Sequence, residues 1–176
     1  MGEANHLSIK MLIVMRDISE KEMNGIEELF ASDHTSMRKV HIERAKQDYA
    51  KLKELGYISS PKQLRIDSHL WVDVFSYLKP RTKFIEVGEN MEIRVLQHPG
   101  GLWTYGVSVL CATRGWAFLP SLFTKLYQTE YEAHDTALKR LIDYVAVDKK
   151  MGNVVKKLKT KYIGNLQLDL FAGFSF

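Results

Sequence analysis

Between Lys83 and Leu119 the chain alternates short runs rich in Val, Ile, Tyr, Trp and Phe with turn-forming residues, and this stretch most narrows the choice of folds. The runs cover 83–87, 91–97, 102–113 and 116–119, and they are parted by Gly88-Glu89-Asn90, Pro99-Gly100-Gly101 and Arg114-Gly115. β-branched and aromatic side chains suit a pleated, half-buried surface, while Gly, Asn and Pro supply the backbone angles of tight turns. Connections this short leave no room for the crossover that a parallel pair requires. Neighbouring strands must therefore be antiparallel.

Helical periodicity flanks the strands. Ser19 followed by Glu22 has the spacing of a capping box, and Met23, Ile26, Leu29 and Phe30 recur every three to four residues, which predicts a helix near 19–31. Val40, Ile42, Ala45, Tyr49, Leu52 and Leu55 form the apolar side of a charged helix over 36–55, ended by Gly56. After Ser60-Pro61, the segment Asp67 to Leu78 reads as a short helix stopped by Lys79-Pro80, and Leu7 to Met15 as a strand or buried start. A second capping box, Thr129 with Glu132, opens a helix to about 147 marked by Ala133, Ala137, Leu138, Leu141, Ile142 and Val145. The expected fold is α+β: N-terminal helices, then a central three- to four-stranded antiparallel sheet backed by a C-terminal helix. Three parts follow, a helical 1–60 and an α-β-β-β-α core over 61–148, together one compact unit, and a basic segment with a tail over 149–176.

The element order over about 67–147 is similar to that of double-stranded-RNA-binding domains. Those domains carry lysines where the last helix starts, whereas this chain reads Thr129-Glu130-Tyr131-Glu132, so double-stranded RNA is not the expected partner.

Catalytic chemistry finds little to use. The six histidines, His6, His34, His41, His69, His98 and His134, show none of the pairings that hold a metal from one helix face, and no glycine-rich phosphate loop is present. Cys111, the single cysteine, lies in the apolar run SVLCAT, where a thiol is inert; it can neither form an internal bridge nor build a cysteine zinc site. Glu86, Glu89 and Glu92 gather around one turn, but Arg94 only loosely mimics the basic residue of a nuclease motif. The expectation is a non-enzymatic protein with no catalytic residues, no metal and no cofactor. A lone cysteine suits a reducing, cytoplasmic setting, and the apolar run from Met11 to Met15 is too short for a signal peptide or a membrane span. No membrane partner is expected.

The charge is unevenly placed. Residues 1–148 hold 19 Lys and Arg against 20 Asp and Glu, whereas 149–161 hold Lys149, Lys150, Lys156, Lys157, Lys159 and Lys161 with no acid. The whole excess of +4 belongs to that segment, which makes those six lysines the candidate nucleic-acid contacts. A solvated face that serves solubility is the other reading of such a run.

Beyond it stands Gln167-Leu168-Asp169-Leu170-Phe171. This QLDLF closely resembles the pentapeptide by which bacterial DNA polymerases, mismatch-repair proteins and many plasmid and phage proteins bind the bacterial sliding clamp, and all five positions match. The resemblance implies that Gln167 is a polar anchor, Leu168 a shallow aliphatic contact, Asp169 a solvent-facing residue, and Leu170 with Phe171 the plug of a deep apolar pocket. It implies the sliding clamp as partner, with DNA as a second contact, a phage or mobile-element origin, and a place near the nucleoid. Short peptides bind usefully by concentrating affinity in a few such side chains. The alternation of Leu166, Leu168 and Leu170 with Gln167 and Asp169 equally fits an edge strand. Two alternatives to clamp docking remain. One is single-stranded nucleic-acid binding on Trp103, Tyr105, Trp116 and Phe118, beside Lys79, Arg81, Lys83, Arg94 and Arg114. The other is a counter-defence or inhibitor protein that offers its 36–55 helix to a partner.

Overall fold

A computed structural model describes residues 18–111 and 114–160, and the chain divides into two compact units. Of the described residues, 18–81, 98–102 and 121–123 form the first; 82–97, 103–111, 114–120 and 124–160 form the second. The fold class is α+β, with helices before a four-stranded antiparallel sheet and helix after it. The start anticipated over 7–15 lies outside the described residues.

In the first unit, α1 (Glu20–Leu29) opens on the capping box read from the sequence. Ser19 Oγ accepts the Glu22 N–H at 3.3 Å, and Glu22 Oε2 accepts the Ser19 N–H at 2.9 Å, so two otherwise unpaired donors are satisfied. Packed against α1 is α2 (Arg38–Glu54). Ile26, Phe30, Tyr49 and Leu52 are fully buried here, and each such side chain contributes on the order of 2 kcal/mol relative to exposure. Glu22 joins the helices by accepting from Lys53 Nζ at 2.7 Å and Tyr49 O–H at 2.5 Å, and these bonds hold its carboxyl at about 2. Gly56, with φ of +81°, ends α2 in the left-handed conformation, returning its own N–H and that of Tyr57 to the carbonyls of Lys53 and Leu52.

The expected helix over 67–78 is much shorter. Only α3 (Val74–Leu78) is helical, capped by Asp73, whose carboxylate accepts the Ser76 N–H at 3.2 Å. Upstream, Asp67 Oδ1 accepts the N–H groups of His69 and Trp71 at 2.8 and 2.9 Å, Ile66 bridges to Val72, and Leu70 adopts φ of +65°. An aspartate that gathers nearby backbone donors competes with the helix, and here it wins.

In the second unit, β1 (Thr82–Gly88), β2 (Met91–Gln97), β3 (Trp103–Leu110) and β4 (Gly115–Phe118) form the antiparallel sheet in sequence order. The register sets Ile85 beside Ile93, Ile93 beside Val107 and Val109 beside Trp116, so one face collects the apolar side chains. Against it lies α4 (Glu130–Ala146), started by the Thr129–Glu132 capping box and contributing Ala133, Ala137, Leu138, Leu141, Ile142 and Val145 to the core. Arg114 donates from its guanidinium to the carbonyl of Tyr144, in the last turn of α4, where free carbonyls favour a cation. No described helix is long and apolar enough to cross a membrane.

Candidate nucleic-acid interface

The lysine segment has a structure that its charge alone did not suggest. Lys149–Met151 form a 3-10 turn capped by Asp148, whose carboxylate accepts the Lys150 N–H at 3.0 Å, and residues 152–160 continue as a helix, α5. Leu158 of α5 is buried in the core of the sheet unit, and Met151, Val154 and Val155 pack against that core. Those four positions recur at helical spacing, so one side of the segment is fixed to the fold. Lys150, Lys156, Lys157 and Lys159 are exposed. Lys156 and Lys159, three residues apart, are surface neighbours, and Lys157 flanks them.

Several lysines of the fold are held by carboxylates, and these are not. Lys46, Lys53, Lys83 and Lys139 each pair with a Glu or Asp at 2.7–2.8 Å. Among the described residues none of Lys150, Lys156, Lys157 and Lys159 forms an ion pair. A row of cations held on a rigid helix without local neutralisation suits the regularly charged backbone of a nucleic acid. Lys149 takes part through its backbone turn. Lys161 and the clamp-type residues Gln167, Leu168, Asp169, Leu170 and Phe171 lie outside the described residues.

The sheet aromatics do not form a stacking platform. Tyr105 is buried, and Trp103, Trp116 and Phe118 pack on the core of the same face, with Trp116 stacked on Tyr144 of α4 at 5.0 Å between centroids. The cations beside them are also engaged. Lys83 holds Glu130 at 2.8 Å, Arg94 holds Glu92 at 2.5 Å, and Arg114 lies 4.3 Å above the Tyr144 ring. Nor do the turn carboxylates converge on a metal. Glu86 and Glu92 are cross-strand partners, and among the described residues no group of three or more His, Cys, Asp or Glu side chains could hold an ion.

Two histidines have defined partners that spacing could not reveal. His41 Nδ1 donates to Asp33 Oδ2 at 2.7 Å, with both side chains buried, and Asp33 also accepts from the N–H and hydroxyl of Thr35. The bond from His41, and then those from Thr35, hold the Asp33 carboxyl at about 2 against an ordinary 3.8. A carboxyl depressed by folding contributes stability that is complete above its unfolded value and is lost as pH falls toward the folded one. Acid unfolding followed by circular dichroism is therefore expected to steepen from pH 3.8 down to about 2, and Asp33→Asn to lose that component. Identical acid curves for the two proteins would refute this role. His98 is buried beside Tyr57, while His34 and His69 are exposed; Cys111 is buried and free.

Comparison with family models, curated proteins and solved structures finds no match to this chain.

Proposed function

We propose that this is a non-enzymatic, replication-associated protein of a phage or mobile element that docks on the bacterial sliding clamp through Gln167, Leu168, Asp169, Leu170 and Phe171. Its second contact is DNA, gripped at the phosphates by the lysines of α5. The observation that carries the reading is positional. A complete clamp-type pentapeptide follows in sequence the lysine-bearing helix α5, which turns unpaired lysines outward. A protein held at the clamp sits beside DNA, so a cationic helix next to the docking peptide adds a second, weaker contact at high effective concentration.

Calorimetric titration of the intact protein into a purified bacterial clamp is expected to show about micromolar binding or tighter. Leu170→Ala with Phe171→Ala should abolish it at an unchanged melting temperature. A variant that melts much lower, from a parent that does not bind, would instead mark the pentapeptide as a core strand and end the proposal. For the DNA contact, reversing Lys156, Lys157 and Lys159 to Glu should lower the slope of log affinity against log salt by about 3. An unchanged slope with clamp binding intact would show that the lysines of α5 make no phosphate contacts and remove the DNA arm of the proposal.

A further inference from the structure

Leu158 fixes which way each residue of α5 looks. At about 100° per residue, Lys157 and Lys159 stand on either side of that buried side chain, while Asn153, Lys156 and Thr160 fall about 140–160° round from it, on the line that points away from the core. Burial agrees: Asn153, Lys156, Lys157, Lys159 and Thr160 are exposed, and Val154 and Val155 are half-buried. A Cβ built on Gly152 would meet nothing within 4 Å, so the outward side is open from the first turn. The nine residues 152–160 rise about 13 Å.

What this arc carries selects its occupant. Its charge is wholly positive, with no acid between Lys149 and Lys161, which calls for a polyanion. A lipid surface would take the apolar side of an amphipathic helix, but Val154, Val155 and Leu158 are committed to the core of the sheet unit. Single-strand grips stack bases on aromatic rings, and residues 150–160 contain none. Helical RNA keeps its base edges at the bottom of a deep, narrow groove that side chains do not read. The major groove of B-form DNA, about 12 Å wide, admits a helix whose own diameter is about 10–12 Å.

The lateral order of the side chains suits that groove. Lys157 and Lys159 diverge by about 160°, toward the phosphates of its two walls, and the residues between them face its floor. Asn153 makes no hydrogen bond among the described residues, so its carboxamide keeps the donor and acceptor that adenine matches, while a lysine donates to guanine. The Thr160 hydroxyl donates to the Lys156 carbonyl at 3.0 Å, which leaves its methyl group for that of a thymine.

We infer that α5 enters the major groove of duplex DNA and reads it. Asn153, Lys156 and Thr160 contact base edges over about four base pairs, and Lys157 and Lys159 hold the phosphates on either side. The inference rests on the DNA contact proposed above and adds sequence preference to it. All three lysines lie in the negative potential of the groove, so each still counts toward the salt slope.

The test begins with selection by the full-length protein from duplexes of about 24 base pairs with about eight randomised central positions, followed by fluorescence anisotropy of a selected and a scrambled duplex across a salt series. The selected duplex is expected to bind about tenfold or more tighter than the scrambled one. Asn153→Ala should erase about fivefold or more of that preference at an unchanged melting temperature, and Lys159→Gln should weaken both duplexes equally and lower the salt slope by about one. Equal affinity for the two duplexes with a steep salt slope, or a preference that survives both Asn153→Ala and Lys156→Met, overturns the inference and leaves α5 as a grip on phosphates. Tighter binding of the single strand, or of the RNA duplex of the same sequence, overturns it as well. An absence of duplex binding at low salt removes the DNA contact itself, so the two readings fail separately.

Discussion

Replacing Gly106 by alanine is expected to destabilise the sheet unit by about 3 kcal/mol or more, a large loss for a single added methyl group. Gly106 lies in the middle of β3, between the inward-facing Tyr105 and Val107, so its missing side chain would point to the opposite face. A Cβ built there meets the Phe118 carbonyl oxygen at 2.5 Å, Pro120 Cδ at 2.6 Å and Pro120 N at 2.8 Å. None of these atoms ends a flexible side chain. Two are backbone and the third belongs to a ring that fixes its own φ, so relief requires the chain after β4 to lift away from β3. The melting temperature should fall by roughly 6–12 °C at that cost. Gly152→Ala is the matched control. Its Cβ meets nothing within 4 Å and its backbone is already right-handed helical, so the change should be neutral or stabilise by up to about 1 kcal/mol through the unfolded chain. Equal melting curves for Gly106→Ala and the parent would show that the crossing over β3 is loose and that β4 is held by its ladder alone.

That crossing also shows where sequence reading stops. The four strands and both capping boxes were legible because their causes are local: alternation, turn residues, and a hydroxyl three residues before a carboxylate. The helix at 152–160 was legible in principle, since Met151, Val154, Val155 and Leu158 keep helical spacing, but the lysines between them drew the reading toward charge alone. The segment 67–73 misled because its apolar residues suit a helix, while its shape is decided by where the Asp67 carboxylate finds donors. The sheet aromatics show the same limit. Their alternation placed them on one face, but only the position of α4 shows that this is the covered face. Pairings such as Asp33 with His41, or the closure of Pro120 over Gly106, join residues with no periodic relation and become visible only after folding.

His98 supplies the second large effect, a loss of on the order of 3 kcal/mol between pH 6.5 and about 4. Its ring is almost wholly inaccessible; Nδ1 accepts from the Tyr57 hydroxyl at 3.0 Å, and Nε2 is buried without a partner. Burial, and then the positive charge of Arg81, oppose protonation and push the imidazole down from 6.5 to about 4. Burial also raises the Tyr57 phenol to about 12, so the hydroxyl stays a donor throughout this range. The sign follows from proton counting. Between the two values the unfolded chain holds a proton at this site and the folded chain does not, so lowering the pH draws the protein toward the unfolded state. Above 6.5 both states are neutral, and the contribution is complete. Urea unfolding at a series of pH values should therefore show stability rising from about pH 4 to 6.5 in the parent. His98→Gln, which keeps a polar group but cannot take the proton, should flatten that rise at some cost at neutral pH, whereas His34→Ala, at an exposed site, should leave it unchanged. If His98→Gln retained the parent's slope, the acid sensitivity would have to arise from another group, and the buried imidazole would already be charged in the folded protein.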